Sequence, residues 1–308
     1  MTSSGATTDT WTIARVIRWA AQDFGARGFD SPRLDAELLL GAALGVDRVR
    51  LIIDAARPLL PKELTRFREL IQRRRTGEPV AYLLGTREFY GLPFRVDRRV
   101  LIPRPDTEAL VETALELTRS RSMCGCALDL CTGSGCVAIA YARHRPTWRV
   151  TATDRSSAAL EVACENALRL GAVHNTSFRE GDLFAAVSSE RRFDLITANP
   201  PYVNARDYAE LDAGIRDFEP REALAGGDDG LQIIGRLVAE APRHLAPLGV
   251  LAIEIGSDQG SRARQLFAAA GFEQIGIRRD YGDRDRVVHG RWLASADPAN
   301  MSDEPQEW

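Results

Sequence analysis

The sequence predicts an α/β fold, with a mostly parallel sheet covered on both faces and a small helical bundle ahead of it. Three observations predict it. From Ala127 onward, strand-like apolar runs alternate with helical ones. One strand runs into the turn Cys131-Thr132-Gly133-Ser134-Gly135, and the acidic Asp154 ends the next strand nineteen positions after Gly135. Over residues 10–75, apolar residues instead recur at helical spacing between helix start and stop signals.

Taken in order, Thr12 to Phe24 places Ile13, Val16, Ile17 and Ala20 on one helical face. Ser31-Pro32 starts a second helix, with serine as N-cap, proline in the first position and Leu34, Leu38, Leu39 and Ala42 as its apolar set; Gly45 stops it. Pro61 opens another, carrying Leu64, Phe67, Leu70 and Ile71. Thr86 to Ile102 is rich in aromatic and β-branched residues around Gly91-Leu92-Pro93, which reads as a hairpin-like linker. Asp106 or Thr107 then caps a helix through Leu117. Strands follow at Ala127–Leu130, Val150–Thr153, near Ser177–Glu180, at Asp194–Ala198 and at Val250–Ile255, with helices at Val137–Arg143, Ser157–Leu170, Leu231–Leu245 and Arg262–Ala270. Gln274–Arg278 and Val287–Arg291 close the sheet as a hairpin-related pair. The resulting division is a helical domain over 1–78, a linker over 79–105, a catalytic α/β domain over 106–293 and an acidic, disordered tail over 294–308.

The 308 residues are 44% hydrophobic and 27% charged, the balance of a soluble globular chain. Nothing approaches a bilayer-spanning apolar run, and MTSSGATTDTWT lacks the basic-then-apolar order of a secretory signal, so a cytoplasmic protein without membrane partners is expected. The net charge of −3 argues against a dedicated duplex-DNA binder. Residues 1–80 hold thirteen Lys/Arg against ten Asp/Glu, which leaves that part at +3 and the remainder at −6. The basic cluster Lys62, Arg66, Arg68, Arg73, Arg74 and Arg75 is either a solvated helix face or a docking surface for a ribonucleoprotein or an acidic partner. Five cysteines without a C-x-x-C pair, and without histidines at zinc-finger spacing, read as free thiols; no metal is expected.

Two motifs carry chemistry. In the turn after Leu128-Asp129-Leu130, Gly133 and Gly135 let the backbone approach a ligand closely. A carboxylate at Asp154 can accept both ribose hydroxyls of an adenosine. Asp182 can accept from an adenine amine, with Leu183 and Phe184 to sandwich the ring. Gly133-x-Gly135-x-x-Ala138 also fits a dinucleotide fingerprint. The second motif is Asn199-Pro200-Pro201-Tyr202, at the end of an apolar strand. The Asn199 side-chain oxygen and the Pro200 carbonyl offer two acceptors. The two prolines stiffen the loop, and Tyr202 supplies a flat face. Together they select an –NH2 on an sp² centre, either an amide or the exocyclic amine of a base, and a nicotinamide enzyme would leave this loop without a role.

Asp194 to Tyr202 resembles the catalytic strand of amino-group methyltransferases. The wider chain is similar to the HemK/PrmC family of release factor glutamine methyltransferases. The segments Arg74–Gly85, Phe89-Tyr90-Gly91-Leu92, Val100–Glu108 and Glu219–Leu231 carry that resemblance. It implies a Rossmann-like class I sheet that uses S-adenosyl-L-methionine, and an N-terminal domain that grips class I peptide chain release factors. It implies methylation of the glutamine amide nitrogen in their Gly-Gly-Gln loop, with nucleic acid not expected as substrate. By position, Cys131, Thr132, Gly133, Ser134, Gly135, Asp154, Asp182 and Leu183 hold the cofactor, and Asn199, Pro200, Pro201 and Tyr202 hold the glutamine, Asn199 also bordering the cofactor. Cys131 departs from the glycine common in this turn, and Leu183 stands where some members carry an aromatic residue. Two rivals remain: a nucleic-acid amino-methyltransferase that takes a flipped base against Tyr202, and a non-catalytic cofactor-binding scaffold. Glu254 and Arg104 are either functional or structural ion-pair partners.

Overall fold

The computed structural model describes residues 10–121 and 123–293, so the acidic tail over 294–308 lies outside the described residues. The chain divides into two units: residues up to 86 together with 212–218, and residues 87–211 together with those from 219 on.

The first unit is helical. Helix α1 (Ile13–Ala26) buries Ile13, Val16, Ala20 and Phe24, and Thr12 caps it by accepting from the Arg15 N–H. Helix α2 (Pro32–Leu44) begins on Pro32 and ends at Gly45, whose φ of 69° is the left-handed turn glycine tolerates. Ser31 occupies the N-cap position but makes no side-chain cap bond. The buried face of α2 meets the expected one only at Leu39: Ala36, Leu39, Leu40 and Ala43 face inward, Leu38 is half-buried, and Leu34 and Ala42 are exposed. Polar pairing turns the helix this way. Asp35 is buried against Arg74 at 2.9 Å, and Glu37 receives Arg33 at 2.9 Å and Arg48 at 2.7 Å.

Two short helices escape the periodicity reading, α3 (Arg48–Ile53) and, after α4 (Pro61–Arg75), α5 (Val80–Leu84). Most of the arginine end of the basic cluster is consumed internally. Arg73 pairs with Glu78 at 2.7 Å, Arg74 with Asp35, and Arg75 with Asp23 at 2.8 Å. Lys62, Arg66 and Arg68 remain exposed.

The linker becomes a two-stranded hairpin, β1 (Thr86–Phe89) and β2 (Leu92–Arg95). Its turn is Tyr90-Gly91, with φ of 51° and 71°, the paired positive values of a tight hairpin turn. Pro93 therefore lies inside β2, which a two-stranded sheet permits because every strand is an edge. A 3₁₀ turn over Pro105–Thr107 leads into α6 (Glu108–Leu117), and neither Asp106 nor Thr107 caps it through its side chain as expected.

The main sheet follows: β3 (Cys126–Leu130), α7 (Cys136–His144), β4 (Arg149–Asp154), α8 (Ser157–Arg169), β5 (Thr176–Glu180) and β6 (Phe193–Ala198). Two short helices come next, α9 (Ala205–Glu210) and α10 (Ala213–Arg216), the latter part of the first unit. Then come α11 (Gln232–Glu240), β7 (Leu245–Glu254), α12 (Gly260–Ala269), β8 (Glu273–Arg279) and β9 (Asp285–Arg291). The helix expected to reach Leu245 stops at Glu240, because Pro242 has no N–H to continue it, and a 3₁₀ turn covers Ala241–Arg243. Leu245 instead opens β7, which pairs Phe193 with Leu245 and then Leu195 with Val250 across a register shift.

The strand order is β5-β4-β3-β6-β7-β9-β8, with β9 antiparallel to both of its neighbours and every other pairing parallel. Alternate residues of each strand feed two cores. Ala127, Val150, Leu195 and Val250 pack on one side with α6 and α7, while Leu128, Leu130, Ile196 and Leu251 pack on the other with α11 and α12. The chain order reverses at β3, so a crevice opens beyond the carboxyl ends of β3 and β6, where open α/β sheets hold ligands.

Candidate active site

At the end of β3 the chain turns through Cys131, Gly133 and Gly135, with φ of 57°, 54° and 79°. Cys131 is the departure from glycine noted in the sequence. Holding a Cβ in the left-handed region costs on the order of 1–3 kcal/mol, a strain the fold must offset. Burial pushes its thiol up, and the carboxylates around it add to the effect, so it stays protonated. At Gly135 the left-handed φ favours glycine, and an added Cβ would also fall 2.9 Å from Ile139 Cδ1 of α7 and 3.1 Å from Ala163 Cβ of α8. At Gly133 the same atom would meet nothing within 4 Å: the backbone faces open space.

Asp129 is the lone charge in β3 and is 2% exposed. Its oxygens accept from the Thr132 hydroxyl at 2.6 Å and the Thr197 hydroxyl at 2.7 Å, tying the turn to β6. Burial raises its pKa to about 6, against the pull of those hydroxyls. Asp154, at the end of β4, accepts from the Gly133 N–H at 2.9 Å and the Ser156 N–H at 3.0 Å. Burial raises its pKa, and the two N–H bonds work the other way.

Cys131, Thr132, Gly133, Ser134, Asp154, Asp182, Leu183, Asn199 and Pro201 line one cleft, together with Thr107, Asp129 and Arg104. Gly135, Pro200 and Tyr202 lie outside its lining. Asp182 is paired with Arg236 at 2.6 Å, with both side chains about half exposed. Leu183 holds a φ of 50°, which aims it at the cleft. Phe184 instead turns into the core and stacks on His244, with ring centres 4.6 Å apart, so no pair of side chains sandwiches a base there.

Asn199 leaves β6 with its amide nitrogen donating to Thr107 Oγ1 at 3.3 Å. Pro200 is buried, and no backbone N–H among the described residues bonds its carbonyl. The Tyr202 hydroxyl donates to Glu254 Oε1 at 3.1 Å, which draws the ring toward the core. The loop is pinned from behind by the segment over 219–231. Val203 N–H donates to the Leu224 carbonyl at 2.9 Å and Gly226 N–H to the Val203 carbonyl at 2.8 Å. Gln259 donates to the carbonyls of Tyr202 at 3.1 Å and Gly230 at 3.3 Å. A Cβ on Gly226 would sit 2.6 Å from the Pro201 oxygen, which is why that segment is glycine-rich. Glu219, its side chain buried, accepts from Arg104 at 2.6 Å and from the Ile102 N–H at 3.1 Å, so Arg104 is an ion-pair partner at the cleft wall.

Sequence reasoning singled out neither Thr107 nor Asp129 as a site residue. The signal for Asp129 was present, a carboxylate alone among the apolar residues of a central strand. Thr107 is separated from Asn199 by 92 positions, so only its place in the segment Val100–Glu108 marks it. Among the described residues no group of three His, Cys, Asp or Glu is placed to hold a metal, and no helix is long and apolar enough to cross a membrane.

Comparison with known proteins accounts for both units. Residues 15–85 match the PrmC N-terminal domain, and residues 106–214 match the methyltransferase small domain. The release factor glutamine methyltransferase of Geobacter sulfurreducens is 42% identical over 281 residues, covering 91% of this chain and 97% of that protein. Its counterpart in Pseudomonas aeruginosa is 46% identical over 266 residues, covering 85% and 94%. Among solved structures, the hMettl16 catalytic domain in complex with a 3'UTR hairpin superposes with a TM-score of 0.55 at 13% identity, covering 79% of this chain and 86% of that one, a likeness of fold alone. The sheet is thus that of a class I methyltransferase, and identity at this level over nine-tenths of the chain settles its kinship: the protein belongs to the release factor glutamine methyltransferase family.

Proposed function

We propose that this protein methylates the side-chain amide nitrogen of the glutamine in the Gly-Gly-Gln loop of class I peptide chain release factors, in the cytoplasm, with S-adenosyl-L-methionine as donor. The observation that carries the reading is the polarity of the Asn199 carboxamide. Its NH2 is engaged by Thr107, which leaves Oδ1 as the acceptor at the cleft that Gly133 and Asp154 also line.

The residues fit the donor. Gly133 offers bare backbone to open space, Asp154 carries a carboxylate at the end of β4 for ribose hydroxyls, and Leu183 offers an apolar wall for a base. When bound, the donor supplies a methyl carbon made electrophilic by its sulfonium. The protein's own part is to bind and orient. Asn199 Oδ1 and the Pro200 carbonyl accept the two N–H groups of the glutamine amide, which directs the face of its nitrogen. Pro201 walls the site, and the helical N-terminal domain grips the release factor.

An amide nitrogen is a weak nucleophile because its lone pair is delocalised. Alignment of the reacting atoms can contribute ~7–11 kcal/mol. Both acceptors strengthen as the nitrogen gains positive charge, so they favour the transition state over the ground state. No general base is assigned.

Asn199→Ala tests the reading. It is expected to abolish release factor methylation while S-adenosyl-L-methionine affinity, measured by calorimetry, stays nearly intact. Parallel loss of rate and cofactor affinity would remove Asn199 from the role of substrate acceptor.

A further inference from the structure

We propose that Arg104 binds the carboxylate at the amino-acid end of S-adenosyl-L-methionine, with Glu219 as the positioning residue that holds the guanidinium in place. The proposal deepens the function proposed above and rests on this cleft taking that donor.

The donor carries two arms on one sulfur, an adenosine and an α-amino acid. A carboxylate taken out of water needs charge-assisted partners, and the cleft has to supply them. The sheet order gives the side on which they are needed. Along its carboxyl edge stand, in order, Leu183 after β5, Asp154 on β4, the Gly133 turn after β3 and Asn199 after β6. The residues proposed for base and ribose stand at β5 and β4, and the acceptor for the substrate amide stands at β6. The amino-acid arm is therefore left the β6 side of the cleft. The segment over 103–107 walls that side. Pro103, Arg104 and Thr107 line the cleft, the Thr107 N–H donates to the Arg104 carbonyl at 3.1 Å, and Thr107 Oγ1 receives Asn199 Nδ2 at 3.3 Å.

Arg99, Arg104 and Arg155 are the cations that line the cleft. Arg99 is spent on neighbours: Nε and Nη2 donate to Asp97 at 2.9 and 2.7 Å, and Nη1 donates to Glu161 at 2.8 Å. Arg155 follows Asp154, at the ribose end, and pairs with Glu222 at 2.9 Å. Arg104 commits only Nη2, to Glu219 Oε1 at 2.6 Å, and no other hydrogen bond holds its guanidinium among the described residues. A guanidinium has five donors in a planar fork, so Nε and Nη1 remain to bind a second carboxylate.

Glu219 makes that donor set ready in advance. Its side chain is 1% exposed, and its second oxygen accepts the Ile102 N–H at 3.1 Å. The carboxylate is thus anchored to the backbone two residues before the arginine it holds. A long side chain pinned at one nitrogen loses less freedom when its ligand arrives.

The test is calorimetric titration of the full-length enzyme with S-adenosyl-L-methionine and with its decarboxylated form, which keeps the adenosine, the sulfonium and the amine. Wild-type enzyme is expected to prefer the carboxylated compound by roughly tenfold to a hundredfold, the scale of a charge-assisted contact. Arg104→Gln, which keeps an N–H for Glu219 but removes the charge, should lose that preference while binding the decarboxylated compound as the wild type does. Arg104→Lys, which keeps a cation beside Glu219, should retain part of the preference. Equal loss of affinity for both compounds in both variants, or an undiminished preference in Arg104→Gln, would overturn the assignment. Wild-type enzyme that methylates release factor yet binds the two compounds equally would overturn it and leave the proposed substrate standing. Wild-type enzyme that shows the preference, loses it in Arg104→Gln and methylates no release factor would keep the assignment and refute the substrate.

Discussion

The Asp154 carboxylate accepts the Gly133 N–H at 2.9 Å, and this bond, beside the one from the Thr132 N–H to the Thr153 carbonyl at 3.0 Å, joins the carboxyl end of β4 to the turn that follows β3. The residue proposed to hold ribose hydroxyls thus also shapes the glycine turn beside it. Asp154→Ala should therefore weaken S-adenosyl-L-methionine binding by more than a lost ribose contact. Each charge-assisted hydrogen bond contributes about 1.5–3 kcal/mol, so the dissociation constant should rise by roughly tenfold to a few hundredfold. Calorimetric titration measures it, and unchanged affinity would remove Asp154 from the ribose.

Gly226 backs directly onto the Asn199–Tyr202 loop. A Cβ there would lie 2.6 Å from the Pro201 oxygen and 2.7 Å from Tyr202 Cα. Because both are backbone atoms, the loop must move. Gly226→Ala should cost about 1–3 kcal/mol of stability, the range for overpacking, and should depress kcat more than cofactor affinity. Urea denaturation and a methylation assay check the two effects. An active variant of wild-type stability would show that the loop is not held from behind.

Asp129 links stability to pH. Burial raises its folded-state pKa from 3.8 to about 6. A raised carboxyl pKa means that the folded state prefers the protonated form. Its contribution is fully present below pH 3.8 and is lost as pH rises to about 6. The difference in unfolding free energy between wild type and Asp129→Asn should change across that window and be flat above it. Urea midpoints at a series of pH values measure it, and a constant difference from pH 3.8 to 6 would contradict the assignment.

In the first unit, Arg74 lies 2.9 Å from Asp35, with side-chain exposures of 13% and 12%, and 3.7 Å from the centre of the Phe29 ring. Arg74→Ala leaves Asp35 buried without its partner. The loss should be roughly 3 kcal/mol, the lower end for breaking a buried pair, because both groups keep some solvent contact. Chemical denaturation reads it directly, and a loss below about 1 kcal/mol would class the pair with surface ion pairs.

The central fold was legible because parallel strands buried on both faces read as apolar runs, as in Leu195-Ile196-Thr197-Ala198. Helices of four to six residues, such as α3, α5, α9 and α10, span too little chain to show a period. The face of α2 was misread because Asp35 and Glu37 count as polar in a sequence but are buried here by arginine partners. The Asn199–Tyr202 loop and the turn at Gly133 stood out as motifs, since each concentrates its chemistry in a few adjacent residues. The supports did not. Thr107 and Glu254 reach that loop from 92 and 52 positions away, and only the folded chain brings them to it.

Mass spectrometry of the Gly-Gly-Gln peptide from a class I release factor, incubated with S-adenosyl-L-methionine and either wild-type or Asn199→Ala enzyme, tests the central claim most directly. A single methyl on the glutamine side chain with wild type, and none with the variant, is the predicted result. An unmodified glutamine with wild-type enzyme, or a methyl placed on any other atom, would contradict it.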